Sequence, residues 1–188
     1  METTQLTVGG HTVSVAQGGV TNPHSVLLLP GATDAPEVFD DVCSRLHTSD
    51  LRTVVPDVRD GLDADTVMGV LDALGVGWVH LVGVDEGAEL AWQLAARQFG
   101  RFTSLVVADR GHPAVPSLNG IAPGTDCPAV ELPTTVLVAD ERRAPEAEGS
   151  GRYVYADFRV VELGGVTSVP MHAPAEFATE IVLRSSPW

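Results

Sequence analysis

The chain has 188 residues, of which 44% are hydrophobic, and it carries a formal charge of −14. This length suits one ordinary domain, and a hydrophobic content of this size supports a core, which excludes a disordered chain. The negative charge excludes nucleic acid as a partner, because DNA and RNA binding depends on clustered Lys and Arg. All 11 basic residues are arginines, so Schiff-base chemistry and a Walker-type phosphate lysine are excluded as well.

Neither the cysteines nor the apolar stretches indicate a special compartment. Cys43 and Cys127 lie far apart, without the spacing of metal ligands or of a disulfide framework. No stretch approaches the roughly 20 apolar residues of a membrane span, and the N-terminus lacks the basic start of a signal peptide. We therefore expect a cytoplasmic protein with reduced thiols, and we predict no membrane contact, metal site or cofactor.

The first half of the chain predicts a hairpin and then alternating strands and helices. Alternating runs at 5–8 and 12–17 flank Gly9-Gly10, a dipeptide that supplies positive φ for a tight turn. The unbroken apolar run at 25–29 is typical of a strand that is buried on both faces of a parallel sheet. The next predicted elements are helix 36–47, strand 53–55, helix 64–74, strand 79–82, helix 86–98 and strand 104–108.

The second half begins with a long loop. Residues 110–133 are rich in Pro and Gly and exceed the usual length of a connection. The pattern then resumes with strand 134–139, a polar segment at 140–151, strand 153–162 and a closing helix at 174–184. Short strands that alternate with amphipathic helices predict an α/β fold: one domain over 1–188, with a doubly wound, mostly parallel sheet of about eight strands.

One motif lies between a predicted strand and the helix that follows it. Residues 78–109 read WVHLVGVDEGAELAWQLAARQFGRFTSLVVAD and contain Gly83-Val84-Asp85-Glu86-Gly87. This segment resembles the nucleophile elbow of the α/β-hydrolase superfamily, and most of all that of epoxide hydrolases and haloalkane dehalogenases, which reads G-x-D-x-G. The resemblance implies an α/β-hydrolase fold with Asp85 as the nucleophile. Glycines flank such an elbow because Cβ atoms there would clash with packed neighbours.

Other segments extend the resemblance to nearly the whole chain outside 110–133. VLLLPGATDAPEVFDDV, from residue 26, resembles the strand and loop that supply an oxyanion-hole amide, which implies that Gly31 and Ala32 border the pocket. TVVPDVRDG, from residue 53, resembles the next strand and turn. VTSVPMHAPAEFATEIVL, from residue 166, resembles the family's histidine loop and last helix.

The triad of that family is displaced in this chain. The resemblance puts Ser168 where the catalytic histidine would stand, so His172 is the nearby imidazole, and His112 in the long loop is a second candidate. Arg143 takes the place of the usual aspartate after the seventh strand. Asp109, at the end of the sixth strand, is then the alternative acid.

The elbow also lacks two familiar neighbours. Glu86 replaces the usual aromatic residue, and two adjacent carboxylates should raise the pKa of one of them, which makes Glu86 a candidate proton donor beside Asp85. The helical cap that supplies two tyrosines to epoxide hydrolases is absent, and the 110–133 loop contains no tyrosine. We expect this loop, or a second copy of the chain in a homodimer, to cover the pocket mouth.

Three functions follow from the sequence. The first is an enzyme, hydrolytic by default, that acts on a small, largely apolar molecule with Asp85 as nucleophile or general acid/base. The second is a non-hydrolytic isomerase, lyase or cyclase on the same fold. The third is a catalytically inactive hydrolase-like protein that binds a ligand or partner. The candidate catalytic residues are Asp85, Glu86, Asp109, His112 and His172, and the candidate binding residues are Gly31, Ala32 and Ser168.

Overall fold

A computed structural model of the chain describes residues 1–20, 24–57 and 61–185. Within these residues, eight strands form one sheet in the order β1-β2-β4-β3-β5-β6-β7-β8. The strands β1 and β2 pair antiparallel, β2 pairs antiparallel with β4, and all other neighbours are parallel. This confirms the predicted mostly parallel sheet. The strands are β1 (Glu2–Val8), β2 (His11–Gly18), β3 (Ser25–Leu29), β4 (Arg52–Pro56), β5 (Val79–Val84), β6 (Phe102–Ala108), β7 (Thr134–Val138) and β8 (Phe158–Glu162).

Helices cover both faces of the sheet. They are α1 (Asp40–Thr48), α2 (Ala64–Ala73), α3 (Glu86–Arg97), α4 (Ala144–Ser150), α5 (Val169–His172) and α6 (Pro174–Ser185). The core forms two apolar clusters, one against α2, α3 and α4 and the other against α1, α5 and α6. Successive side chains of β5 alternate between them: Leu81 belongs to the first cluster and Val82 to the second. Burial on both faces explains why the central strands are continuous apolar runs.

The predicted N-terminal hairpin is confirmed. The backbone φ is 57° at Gly9 and 86° at Gly10, between β1 and β2. Positive φ at both central residues matches the twist of a two-residue hairpin turn, and glycine adopts it without steric penalty.

Three predicted elements differ from the structure. The predicted strand 153–162 begins only at Phe158, because Gly151–Tyr153 forms a 3-10 turn and Val154 makes a single bridge to Val130. The predicted polar segment 140–151 contains α4, which starts with a proline in its first turn, where no backbone N–H is needed. The helix predicted at 36–47 opens with a 3-10 turn at Pro36–Phe39.

The parallel strands bring the candidate residues to one edge of the sheet. Ala32 follows β3, Asp85 follows β5, Asp109 follows β6 and Asp140 follows β7. The carboxyl ends of parallel strands meet at the same edge, where such sheets bind ligands.

Between β6 and β7 the chain runs as an irregular loop. Residues 109–133, all of them described, contain no helix or strand apart from the bridge at Val130. Residues 58–60, within the predicted turn of TVVPDVRDG, lie outside the described residues. Among the described residues, no helix has both the length and the apolar composition that crossing a bilayer requires.

Candidate active site

Asp85 lies on a sharp turn that joins β5 to α3. Its backbone has a φ of 49° and a ψ of −121°, a strained combination for a residue with a side chain. A Cβ on Gly87 would lie 2.2 Å from the Leu29 carbonyl oxygen, and a Cβ on Gly83 would lie 2.5 Å from the Gly87 carbonyl oxygen. Close packing of strand, turn and helix therefore requires both glycines, as the elbow motif predicts.

The Asp85 carboxylate lines the site and is about half exposed. Its side chain is 51% exposed, and its Oδ1 lies 3.6 Å from Nη1 of Arg110. Partial burial raises the pKa of Asp85, and the Arg110 charge opposes this rise, while the nearby carboxylates Glu86, Asp109 and Asp34 add to it. Asp85 thus holds its proton to a higher pH than an ordinary aspartate does.

Arg110 is a site residue that the sequence analysis missed. Its side chain is only 18% exposed and faces three carboxylates: besides Asp85, its Nε lies 3.3 Å from Glu89 and its Nη2 lies 3.9 Å from Glu86. The Trp92 indole fixes the arginine backbone by donating to its carbonyl at 3.2 Å. The available signal was its position directly after Asp109, at the same sheet edge as the elbow.

Glu86 holds the amide that was predicted to serve an oxyanion. The Ala32 amide donates to Oε2 of Glu86 at 3.1 Å, and this hydrogen bond lowers the pKa of Glu86. The opening beside them is tight, since a Cβ on Gly31 would lie 3.3 Å from the same oxygen and 3.4 Å from the Asp85 Cβ. The two adjacent carboxyl groups have pKa values shifted in opposite directions, and Asp85 is the one shifted toward holding a proton.

The Asp109 carboxylate is hydrogen-bonded to the backbone. It has a φ of 56°, and its Oδ1 accepts a hydrogen bond of 2.8 Å from the Ala139 amide, just beyond the end of β7. This contact ties the end of β6 to the end of β7. The side chain stands close enough to Asp85 to raise the pKa of Asp85.

His112 belongs to the long loop, and its side chain is buried. Its Nε2 donates to the Pro128 carbonyl at 2.9 Å, and its Nδ1 accepts from the Ala114 amide at 3.2 Å. The ring stacks on Tyr153 with 4.5 Å between centroids and meets the edge of Trp92. Burial lowers the pKa of His112, so the imidazole is neutral, and backbone groups engage both of its nitrogens. In this geometry the ring fastens the loop.

His172 and Ser168 lie at the two ends of α5. Ser168 precedes the helix, and its carbonyl accepts a hydrogen bond of 2.9 Å from the His172 amide. The His172 ring is exposed and lies 3.3 Å from the Thr167 hydroxyl through Nδ1. Thr167 lines the cleft over Asp85, so His172 stands one side chain away from that cleft.

The cleft over Asp85 has a volume of about 670 Å³. Among the described residues that line it there is no imidazole, and the lining is strongly charged, whereas the sequence led us to expect a small, largely apolar substrate. The charged lining residues are Asp85, Asp109, Asp140, Glu141, Arg142 and Arg143. Across the described parts of the chain, no group of three or more His, Cys, Asp or Glu side chains is arranged to hold a metal ion.

Solved structures share this architecture across the whole chain. Epoxide hydrolase A from Mycobacterium thermoresistibile superposes with a TM-score of 0.82 at 12% identity, covering 97% of each chain. Epoxide hydrolase VrEH1 from Vigna radiata gives a TM-score of 0.78 at 15% identity, also covering 97% of each chain. This chain has the α/β-hydrolase fold.

Cfl2 from Burkholderia cenocepacia also has this fold, with a TM-score of 0.84 at 15% identity, covering 98% of this chain and 95% of that chain. No protein-family model and no curated protein matches the sequence. At these identities the α/β-hydrolase likeness establishes the fold, and the chemistry must be argued from the site itself.

Proposed function

We propose that the chain is a hydrolase-like enzyme that acts on a small polar molecule, with Asp85 as the general acid/base. One observation carries this proposal: Asp85 lines a cleft at the carboxyl edge of the sheet, and its pKa there is raised. A group whose pKa moves toward the working pH can both accept and donate a proton during turnover.

The surroundings of Asp85 favour proton transfer over a covalent hydrolytic route. Hydrolysis through an ester on Asp85 needs a base that activates water. Of the two candidate imidazoles, His112 has both ring nitrogens hydrogen-bonded to the backbone, and His172 contacts the Thr167 hydroxyl. Proton transfer needs no such base. The Arg110 guanidinium, 3.6 Å away, would stabilise the Asp85 carboxylate after it has given up its proton.

The test is a turnover screen with matched variants. Wild type, Asp85→Asn and Asp41→Asn are assayed against epoxides, haloalkanes, esters and carbonyl compounds that isomerise by proton transfer. We expect turnover of a proton-transfer substrate, with kcat/KM lower by about 10²–10⁴-fold in Asp85→Asn. The Asp41→Asn control removes an exposed carboxylate from the first turn of α1 and should match wild type.

Mass spectrometry separates the two roles of Asp85. A covalent adduct on Asp85 after incubation with an epoxide or haloalkane would identify a nucleophile and contradict the acid/base role. A pH–rate profile that loses one ionisation in Asp85→Asn would support that role.

A second candidate is an inactive hydrolase-like binding protein. The hydrogen bond from the Ala32 amide to Glu86 favours it, because a side chain of the protein already occupies the amide that would stabilise an oxyanion. Ligand binding without turnover across the whole screen would select this candidate.

A further inference from the structure

The Glu86 carboxylate binds two backbone amides at the carboxyl edge of the sheet. The Ala32 amide donates to its Oε2 at 3.1 Å, and hydrogen bonds from the Ala32 amide and from the amide of Glu86 itself lower the pKa of this carboxylate. One amide belongs to the loop after β3, and the other belongs to the first residue of α3. We call them the paired amides. Two backbone amides that converge on one negatively charged group are an arrangement that stabilises an oxyanion.

A turn presents the Ala32 amide to Glu86. The Asp34 amide donates to the Gly31 carbonyl at 2.9 Å, which closes a four-residue turn with Ala32 as its second residue. The amide at this position has no acceptor within such a turn, so it is available to a group outside it. Gly31 keeps that space open, because a Cβ there would lie 2.9 Å from Oδ2 of Asp34 and 3.3 Å from Oε2 of Glu86.

The Glu86 side chain can leave the paired amides without disturbing the core. It is 56% exposed, and its Oε1 lies 3.9 Å from Nη2 of Arg110, which is beyond the range of a hydrogen bond. The buried face of α3 begins only at Gly87. Rotation of the Glu86 side chain into solvent therefore exposes both amides and leaves the packing of α3 unchanged.

The position between the paired amides already holds a negative charge. The pKa of Glu86 is lowered, because the hydrogen bonds from the Ala32 amide and from its own amide outweigh its partial burial. The neighbouring carboxylates Asp34 and Asp85 do not reverse this shift. A small carboxylate that replaced the Glu86 side chain would therefore bring no charge that the wild-type protein lacks at this place.

We propose that Glu86 blocks an oxyanion site from within: its carboxylate occupies the paired amides, and a small carboxylate or other oxyanion binds them once the Glu86 side chain is removed or displaced. While Glu86 is in place, the cleft is closed to a reaction that builds negative charge on a substrate oxygen at this position. Proton transfer by Asp85 does not need the paired amides, so the inference goes beyond the proposed function and does not depend on it.

A pH titration followed by ¹H–¹⁵N NMR tests the contact in the wild-type protein. We expect the amide signals of Ala32 and Glu86 to move together, with one midpoint below the ordinary glutamate pKa of about 4.3, because both amides favour the ionised carboxylate. Glu86→Gln keeps an oxygen acceptor of the same length but does not titrate, so the Ala32 signal should lose this transition. An Ala32 signal that keeps the transition in Glu86→Gln, or lacks it in wild type, would overturn the proposal.

Acetate binding tests whether the site accepts an external oxyanion. Glu86→Ala removes the blocking carboxylate, and saturable shifts of the amides at positions 32 and 86 report binding at pH 7. We expect acetate to bind this variant at least about 10-fold more tightly than it binds wild type, and at least about 10-fold more tightly than neutral acetamide binds the variant.

Asp65→Ala is the matched control for the acetate titration. It removes an exposed carboxylate from the first turn of α2, away from the paired amides, and should bind acetate no better than wild type. Equal acetate affinity in wild type and Glu86→Ala, or no preference of Glu86→Ala for acetate over acetamide, would contradict the blocked site.

The Asp85→Asn variant separates this inference from the proposed function. It lacks the candidate acid/base group but keeps Glu86 and both amides, so the Ala32 signal should still follow the Glu86 titration. That result, with no Asp85-dependent turnover in the substrate screen, would support the blocked site and remove the enzyme. Asp85-dependent turnover with an Ala32 amide that does not follow Glu86 would do the reverse.

Discussion

Two aspartates occupy equivalent places in the sheet, but their carboxylates have different partners. Asp85 follows β5 and Asp109 follows the adjacent parallel strand β6, and their φ values are 49° and 56°. The Asp109 carboxylate accepts a 2.8 Å hydrogen bond from the Ala139 amide, while the Asp85 side chain caps none of the amides of α3 and faces Arg110. The same backbone position thus gives a carboxylate bound to the backbone where a neighbouring amide reaches it, and a carboxylate that faces an arginine where none does.

The strain at the two positions is also maintained differently. A residue other than glycine at positive φ costs about 1–3 kcal/mol, and it persists only where its surroundings fix it. At Asp109 the bond to Ala139 provides such a constraint. At Asp85 the constraint comes from the packing of Gly83 and Gly87, which does not involve the Asp85 carboxylate.

The largest expected loss of stability comes from adding a side chain at Gly87, where α3 packs against the end of β3. In Gly87→Ala the new Cβ would lie 2.2 Å from the Leu29 carbonyl oxygen, so strand and helix must separate. We expect the free energy of unfolding to fall by about 3 kcal/mol or more, or the variant to fail to fold. Urea denaturation measures the change.

Gly164→Ala is the matched control, since a Cβ there meets nothing within 4 Å. Its stability should stay within about 0.5 kcal/mol of wild type. A Gly87→Ala variant as stable as this control would contradict the tight elbow.

The second effect compares the two aspartates directly. Asp109→Ala leaves the Ala139 amide without its acceptor and should lower the free energy of unfolding by about 1–3 kcal/mol more than Asp85→Ala does. Both sites have positive φ, so the backbone penalty of alanine is common to the two variants and cancels in the comparison. Thermal and urea unfolding of the pair measure the difference, and equal losses would show that the Ala139 bond does not distinguish the sites.

Local patterns were sufficient to predict most of the fold. Gly9 and Gly10 predict the hairpin, and the apolar run of β3 predicts a central strand, because both signals lie within a few residues. Helix α4 escaped prediction because its short sequence, APEAEGS, has no apolar periodicity. The predicted strand 153–162 is longer than β8, because the tyrosines and the valine at its start favour a strand. In the structure, Val154 pairs only with Val130, in a single bridge.

The site was predictable at Asp85 and much less so around it. Gly83 and Gly87 mark the elbow in the sequence, but the contact of Arg110 with Asp85 joins different loops and leaves no local pattern. The hydrogen bond between Ala32 and Glu86 spans 54 positions of sequence. His112 resembles a free imidazole in the sequence, and only the fold brings the Pro128 carbonyl to it.

Partial burial raises the pKa of Asp85, and the Arg110 charge opposes this rise. Carbon-detected NMR titration of the side-chain carboxyl, assigned by its loss in Asp85→Asn, measures this directly. We predict a pKa for Asp85 above the ordinary value of about 3.9, and a further rise in Arg110→Gln, because the arginine charge favours the ionised form. A pKa of Asp85 at or below the ordinary value in wild type, or one unaffected by the loss of Arg110, would contradict the claim.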